Sequence, residues 1–410
     1  MYQWGQEEVR AAVEVLESGN LFRYTADSRT AAFEREFADR LTARHALAVH
    51  SGTSALVVAL AACGIGPGDE VIVPAYTFVA SAAAVVWVGA VPILCEVDNS
   101  LTLDPNDVAA HVSGRTKAIL AVHMLGAPAN LDALRAIAHA HDLILLEDCA
   151  QACGAEYKGR SVGTMGSVGC FSFNQSKILS CGEGGAVITD DERTFVRLRM
   201  AHDPGSLWRR HVSPFREDEF PGLGVRMDEV RAAVLRVQLQ RLPDILSNLK
   251  RAKCALKRRI AGITGLECRT IHDADGDTST TLAMFLPTAD MARRFVATLA
   301  EDGIRAGTEF AAALGRSDQD AHTMYDAGRP DRHIYRFWTY IMNKGVPQQH
   351  GCSYECPRYS GGQVFTPDMC PTTLDLLGRG LLLGINPDWT TADVDRMANV
   401  IGAAASELVA

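Results

Sequence analysis

The sequence lacks any internal repeat or low-complexity tract, so nothing in it asks for a repeat architecture. It also lacks an excess of positive charge: the formal net charge is −9 and the pI is near 5.8, which argues against a general nucleic-acid binder. The basic groups at Arg209-Arg210 and within residues 250–259 fall in helical patterns and are expected to be solvated faces. No basic segment followed by an apolar one opens the chain, so no secretory signal is expected. The eleven cysteines do not carry the spacing of a small disulfide scaffold, and free thiols in a reducing, cytoplasmic compartment are expected instead. Cys149-x3-Cys153 and Cys352-x3-Cys356 are weak metal motifs for which buried thiols are the commoner explanation, so no metal is expected.

Charge is missing altogether from residues 71–95, a length that raises the question of a membrane span. Pro74, Gly89 and Pro92 cut that stretch, and Thr77 and Ser81 sit inside it, so strand, loop, buried helix and strand are expected. What remains is an ordinary globular composition, 47% hydrophobic and 22% charged over 410 residues, enough for a large core and two to three domains.

Helical spacing places Val9, Val13 and Leu16 on one face of residues 6–18, and Phe33, Phe37 and Leu41 on one face of a second helix. The run Ala46-Leu-Ala-Val-His50 then reads as a strand entering Ser51-Gly52-Thr53-Ser54 and an Ala/Leu/Val-rich helix. Small hydroxyls and a glycine at a helix N-terminus suit an anion, and equally a plain N-cap. Strand-like runs at 70–73, 91–95, 118–122 and 143–146 alternate with helical ones such as 131–140. That alternation predicts a mainly parallel sheet covered on both faces, with ligands at the carboxyl ends of its strands. His50 to Ser54, Tyr76 to Phe78, Asp148 and Ser172 to Lys177 all fall at such ends.

A long helix over 226–262, with Val230, Val234, Val237 and Leu242 as its buried stripe and Pro243 as a bend, is expected to lead into a smaller α/β domain. The expected division is an N-terminal segment 1–24 packing with the small domain, a large domain 25–245 and a small domain 246–410. A last helix is capped by Thr390 and Asp393 and repeats Val394, Met397, Ile401 and Leu408.

The stretch most suggestive of chemistry is Gly169-Cys-Phe-Ser-Phe-Asn-Gln-Ser-Lys177-Ile-Leu-Ser-Cys-Gly-Glu-Gly-Gly185. Its glycines allow close approach to the backbone, and a lysine in apolar surroundings becomes a nucleophile near neutral pH. Taken alone, the same stretch is more often a Gly-rich hairpin bearing a surface lysine.

Four elements in this order carry a resemblance: Ser51-Gly-Thr-Ser-Ala-Leu56, Gly68-Asp-Glu-Val-Ile-Val-Pro-Ala-Tyr-Thr-Phe-Val79, Glu147-Asp-Cys-Ala-Gln151 and the Ser172–Gly185 stretch. The chain resembles the DegT/DnrJ/StrS-type sugar aminotransferases, pyridoxal 5′-phosphate (PLP) enzymes of the aspartate aminotransferase fold, fold type I. The resemblance implies an α/β architecture with a mainly parallel, seven-stranded-type sheet, a smaller C-terminal α/β domain and a homodimer with shared active sites. It implies transfer of an amino group from glutamate or glutamine to a keto-sugar-like acceptor in amino-sugar or natural-product biosynthesis. By the same resemblance Lys177 holds the cofactor and moves the proton of the donor's α-carbon, while Asp148 keeps the pyridine nitrogen protonated. Phe78 stacks on the ring, Gln151 contacts it, and Gly52, Thr53, Ser54 and Ser172 bind the phosphate.

Three departures stand out. Gly222-Leu-Gly224-Val-Arg-Met227 has glycine where many relatives carry an asparagine that reaches the neighbouring subunit's phosphate, leaving the Gly224 N–H as the replacement. Asn174 follows Ser172-Phe173 where nucleotide-sugar members have histidine, and Leu382-Leu-Gly-Ile-Asn-Pro387 replaces a common Leu-Pro ending. They point to a divergent branch acting on a free keto-sugar, a keto-cyclitol or a keto-sugar acid. A PLP-dependent dehydratase and a non-catalytic regulatory relative are the competing readings; relatives that dehydrate sugars often carry histidine in place of the lysine kept here.

Overall fold

The computed structural model describes residues 4–206, 219–304, 331–347 and 353–409. Arg209-Arg210 and Cys352 therefore lie outside the described residues. The chain opens with α1 (Gln6–Ser18) and α2 (Arg29–Leu41), then runs β1 (His45–Val49), α3 (Gly52–Ala62), β2 (Glu70–Pro74), α4 (Ala80–Trp87) and β3 (Val91–Cys95). It continues through α5 (Pro105–His111), β4 (Thr116–Val122), α6 (Leu131–Ala140), β5 (Ile144–Asp148), β6 (Val168–Ser172), β7 (Gly185–Thr189), α7 (Glu192–His202) and α8 (Glu229–Ile260). The rest includes β8 (Glu267–Cys268), β9 (Thr281–Phe285), α9 (Ala289–Glu301), α10 (Pro371–Arg379), β10 (Gly380–Gly384) and α11 (Thr391–Val409).

β1 to β7 form one seven-stranded sheet in the order β1-β7-β6-β5-β4-β2-β3, parallel except for the pairings of β7 with its two neighbours. β2 and β3 are buried along their whole length, so they are apolar on both faces, as a covered parallel sheet requires. Val71 and Val73 face one core while Ile72 faces the other, the two-residue period expected of a pleated strand between helical layers. The charge-free stretch 71–95 is thus β2, α4 and β3, and among the described residues no helix is long and apolar enough to cross a membrane.

The register of the strands sets their carboxyl ends in line. Val122 pairs with Asp148, Asp148 with Cys170, Ser172 with Gly185, and Gly185 with Val49. Every loop leaving β1, β4, β5 and β6 therefore starts from one edge of the sheet. Behind that edge Phe33, Phe37, Phe171 and Phe173 pack edge to face, with ring centroids 5.1–5.5 Å apart, fixing the base of the loop that carries Lys177.

A separate core gathers around the three-stranded sheet β8-β9-β10, enclosed by α8, α9 and α11. α8 joins both cores: Leu235, Leu239 and Leu242 pack on the large sheet, and Leu249, Leu256 and Ile260 on the small one, with Pro243 inside the helix. Of the expected stripe, Val234 and Leu242 are buried, whereas Val230 and Val237 are half-buried, because the true seam is rotated toward Ala232, Leu235 and Leu239. The face of α1 turns the other way from its apolar pattern. Val9, Val13 and Leu16 are 52%, 43% and 59% exposed, while Glu8 is buried against Gln238 and Arg241 of α8, ahead of residue 246. The Thr390 and Asp393 cap forms as expected, with Thr390 N–H donating to Asp393 Oδ2 at 2.8 Å and Asp393 N–H to Thr390 Oγ1 at 3.2 Å.

Candidate active site

The aligned strand ends open into a cavity of about 530 Å³, lined by Gly52, Thr53, Phe78, Asp148, Gln151, Ser172 and Lys177 together with residues from the C-terminal third. Gly224 is not among its lining residues; the expectation for it concerned a neighbouring subunit's site. Ser54 lies just behind the wall, buried in the first turn of α3.

α3 starts at this wall because Ser51 caps it, accepting the Ser54 N–H at 3.1 Å. The first backbone bond of the helix runs from Ala55 N–H to Ser51 O, so the N–H groups of Gly52 and Thr53 precede the helical ladder and remain for an acceptor in the cavity. Only glycine fits at position 52. A Cβ there would stand 2.6 Å from the Cβ of Ser172, so the β1–α3 turn and the end of β6 meet at backbone distance.

Asp148 ends β5, 5% exposed. Ser81 Oγ donates to its Oδ2 at 2.9 Å and Ala150 N–H to its Oδ1 at 3.0 Å. Burial pushes its pKa up against these bonds and against the nearby Lys177 ammonium, and the net shift is upward. Lys177 is shifted the other way: burial lowers its pKa below the ordinary lysine value while Asp148 opposes. One cavity therefore holds a carboxylate and an amine that both pay for being charged, and a bound group carrying a cation beside the first and a carbonyl beside the second relieves both.

The neighbouring Glu147 points to the opposite face of the sheet and is fully buried. It accepts hydrogen bonds from His123 Nε2 (2.9 Å) and from the N–H groups of Gly163 (2.7 Å), Met165 (2.8 Å) and Gly166 (2.6 Å). His123 Nδ1 in turn accepts from Ala129 N–H at 3.0 Å, so the Nε2 proton belongs to the Glu147 bond. Burial raises the pKa of Glu147, but these donors outweigh it and the net shift is downward. A depressed carboxylate contributes stability above its unfolded pKa and loses it as pH falls through the folded value. Glu147→Ala is expected to lower stability by about 3–5 kcal/mol at neutral pH and to weaken the acid dependence below about pH 4.5, read by urea unfolding at a series of pH values. Among the described residues, His123, Glu147 and Cys149 form one of two potential metal-ligand groups, but these hydrogen bonds already occupy the ring and the carboxylate.

Gln151 reaches the cavity from the turn after β5, its Oε1 accepting the N–H of Leu125 at 2.9 Å. Leu125 has φ +57°, a left-handed conformation uncommon for leucine, and its turn is held from the small sheet. Arg269, 4% exposed, donates to the carbonyls of Met124 (2.9 Å) and Leu125 (3.2 Å), and Thr278 N–H donates to that of Gly126 (3.0 Å).

Several lining residues carried no signal in the sequence. Asp331, Arg332 and His333 line the cavity because this segment pairs with the end of β2: Thr77 N–H donates to His333 O at 2.9 Å, and Tyr335 N–H to Ala75 O at 3.0 Å. His333 lies 5.5 Å from the Phe78 ring and its Nδ1 is 2.9 Å from Asp331 Oδ1. A titratable ring thus stands in the cavity although Asn174 has replaced the one expected from the lysine loop. Leu382, Gly384, Asn386 and Pro387, noted only as a departure from the common ending, also line it.

A sequence profile described as the DegT/DnrJ/EryC1/StrS aminotransferase family matches residues 3–327. The chain is 39% identical over 315 residues, 73% of its own length and 72% of the relative's, to L-glutamine:2-deoxy-scyllo-inosose aminotransferase of Streptomyces kanamyceticus. It is 44% identical over 267 residues, 63% of its length and 67% of the relative's, to dTDP-3-amino-3,4,6-trideoxy-alpha-D-glucose transaminase of Streptomyces venezuelae. The crystal structure of 3-amino-5-hydroxybenzoic acid synthase superposes with a TM-score of 0.79 at 30% identity, covering 99% of this chain and 97% of that one.

Proposed function

Since the chain belongs to the DegT/DnrJ/EryC1/StrS family and is a PLP-dependent aminotransferase of fold type I, we propose that it moves an amino group from glutamine or glutamate to a ketone on a polyhydroxylated ring, a keto-cyclitol or keto-sugar. The observation that carries the reading is the meeting of Lys177 and Asp148, with opposed pKa shifts, in one cavity beside the N-terminus of α3. The relative from Streptomyces kanamyceticus supports glutamine and a cyclitol as the pair to test first.

The residues fit the cofactor. The N–H groups of Gly52 and Thr53, with the Ser172 hydroxyl beside them, suit its phosphate, and the bare Cα of Gly52 lets the end of β6 meet that turn closely; Ser54 supports the cup from behind. Bound there, PLP supplies a carbonyl that takes up the donor amine and a ring that accommodates the electron pair left when the α-proton departs. Asp148 would meet the ring nitrogen and favour its protonated form; the Ser81 and Ala150 bonds orient the carboxylate. Lys177 Nζ, its pKa lowered by burial, would hold the cofactor and serve first as base and then as acid for the donor's α-proton. Phe78 would cover one face of the ring, and Gln151, lining the cavity with its oxygen held by the Leu125 N–H, would contact it.

The expected result with purified holoenzyme is a loss of the PLP absorbance band on adding glutamine alone, recovered on adding a keto-cyclitol. A band unchanged by every common amino acid counts against transamination.

The reading extends to a homodimer. Val9, Val13, Leu16, Leu21, Phe22 and Leu223, all 43–59% exposed, supply apolar surface that a second subunit would cover. Sedimentation of an active monomer would overturn it. The free cysteines described support a cytoplasmic location, and the separate cores on either side of Pro243 support a division near residue 245, with α1 set against Gln238 and Arg241 on the large-domain side of it.

A further inference from the structure

The hydroxyls at the start of α3 are linked in a chain that reaches back to His50. Ser51 Oγ lies 2.9 Å from Ser54 Oγ, and Ser54 Oγ lies 3.1 Å from His50 Nδ1. Ser51 lines the cavity, whereas Ser54 and His50 stand behind it. Ser51 Oγ also accepts the Ser54 N–H at 3.1 Å.

Counting protons gives this chain two possible directions. In one, His50 Nδ1 accepts from Ser54, Ser54 accepts from Ser51, and the Ser51 proton is used inside the protein. In the other, His50 Nδ1–H donates to Ser54 Oγ, and Ser54 O–H donates to Ser51 Oγ, which also takes the Ser54 N–H. The Ser51 proton is then left over for an acceptor in the cavity. The direction depends on which imidazole nitrogen carries the proton.

We infer that His50 is a positioning residue for the cofactor phosphate: its Nδ1–H directs the Ser54 and Ser51 hydroxyls so that Ser51 donates into the anion site. This rests on reading the site as the PLP phosphate cup. The backbone of His50 is fixed independently, its N–H donating to Val225 O at 3.0 Å, so the side chain can be altered without removing that bond. Burial, and then Arg231 of α8, hold the imidazole below its ordinary pKa, with Glu183 opposing. A neutral ring leaves the tautomer, and hence the direction of the chain, to be set by the anion.

The test compares holoenzymes of the parent chain, His50→Ala, His50→Asn, Ser54→Ala and the double variant His50→Ala/Ser54→Ala. PLP dissociation is measured by absorbance titration, and the bound phosphate is followed by its ³¹P chemical shift. Each alanine variant is expected to weaken PLP about tenfold, and the double variant about tenfold rather than about hundredfold, since both break one chain. His50→Asn, which keeps a side-chain N–H donor, is expected to recover most of the affinity and the parent ³¹P shift. Unchanged binding in His50→Ala, multiplicative losses in the double variant, or His50→Asn as weak as His50→Ala would overturn the inference. If His50→Ala does not fold, Ser54→Ala and His50→Asn still decide it: a ³¹P shift unmoved in the first, or moved alike in both, refutes the relay. Borohydride reduction separates the two levels. No pyridoxyl label on Lys177 removes the reading of the site, whereas a normal label with no coupling between positions 50 and 54 removes only the relay.

Discussion

Lys177→Ala is expected to lower turnover with glutamine and a keto acceptor by about 10⁴-fold, and to leave no pyridoxyl label after borohydride treatment. The size follows from two roles lost at once, covalent anchorage and proton transfer at the donor's α-carbon, which no neighbouring group can assume. Asp148 is the nearest charged partner, but its carboxylate is committed to Ser81 and Ala150, and its raised pKa reflects burial rather than a free proton for transfer. PLP should still bind to the variant, since the anion site at α3 is untouched, so the spectrum should change while cofactor content persists. Lys177→Arg separates charge from chemistry: the cation returns, but a guanidinium stays protonated at any working pH and cannot serve as base. A Lys177→Ala enzyme retaining a tenth of its turnover would end the assignment.

The pattern of legibility follows from where each residue gets its position. Asp148 and Ser172 end buried strands and Gly52 and Lys177 follow within a few residues, so the strand ends alone bring them together, and those ends were readable from apolar runs broken by small residues. Asp331 to His333 reach the same cavity from the far end of the chain by pairing with the residues after β2, and Asn386 by following β10, which pairs with β9; nothing local announces such a pairing. Arg269 is a sharper case. Its guanidinium is buried because two carbonyls of the left-handed Leu125 turn receive it, yet in the sequence it is one basic residue among many. The face of α1 failed in the opposite sense. The apolar spacing of Val9, Val13 and Leu16 was real, but in the single chain that face is open, and Glu8 and Val15 are the residues turned inward. Periodicity reports that a face will be covered without saying by which chain.

Asp148→Asn is expected to separate activity from stability. Turnover should fall by roughly 10³-fold, because a neutral amide no longer favours the protonated ring nitrogen in a site where charge is weakly screened. Shape is preserved, and the amide can still accept from Ser81 or Ala150, so the loss measures charge and not a collapsed cavity. Stability of the cofactor-free chain should move the other way. The folded pKa of Asp148 is raised, so its contribution is favourable below the unfolded pKa near 3.8 and is lost as pH rises through the folded value; at neutral pH the ionised form is a burden that the unfolded chain does not share. Removing the charge lifts that burden, and urea midpoints at pH 7 should rise for the cofactor-free variant. With PLP bound the order should reverse, because the parent carboxylate then faces a cation and the amide does not. A variant that loses activity and cofactor-free stability together would instead mark Asp148 as a strut of the β5 turn, since a carboxylate kept for chemistry is one the fold alone would do better without.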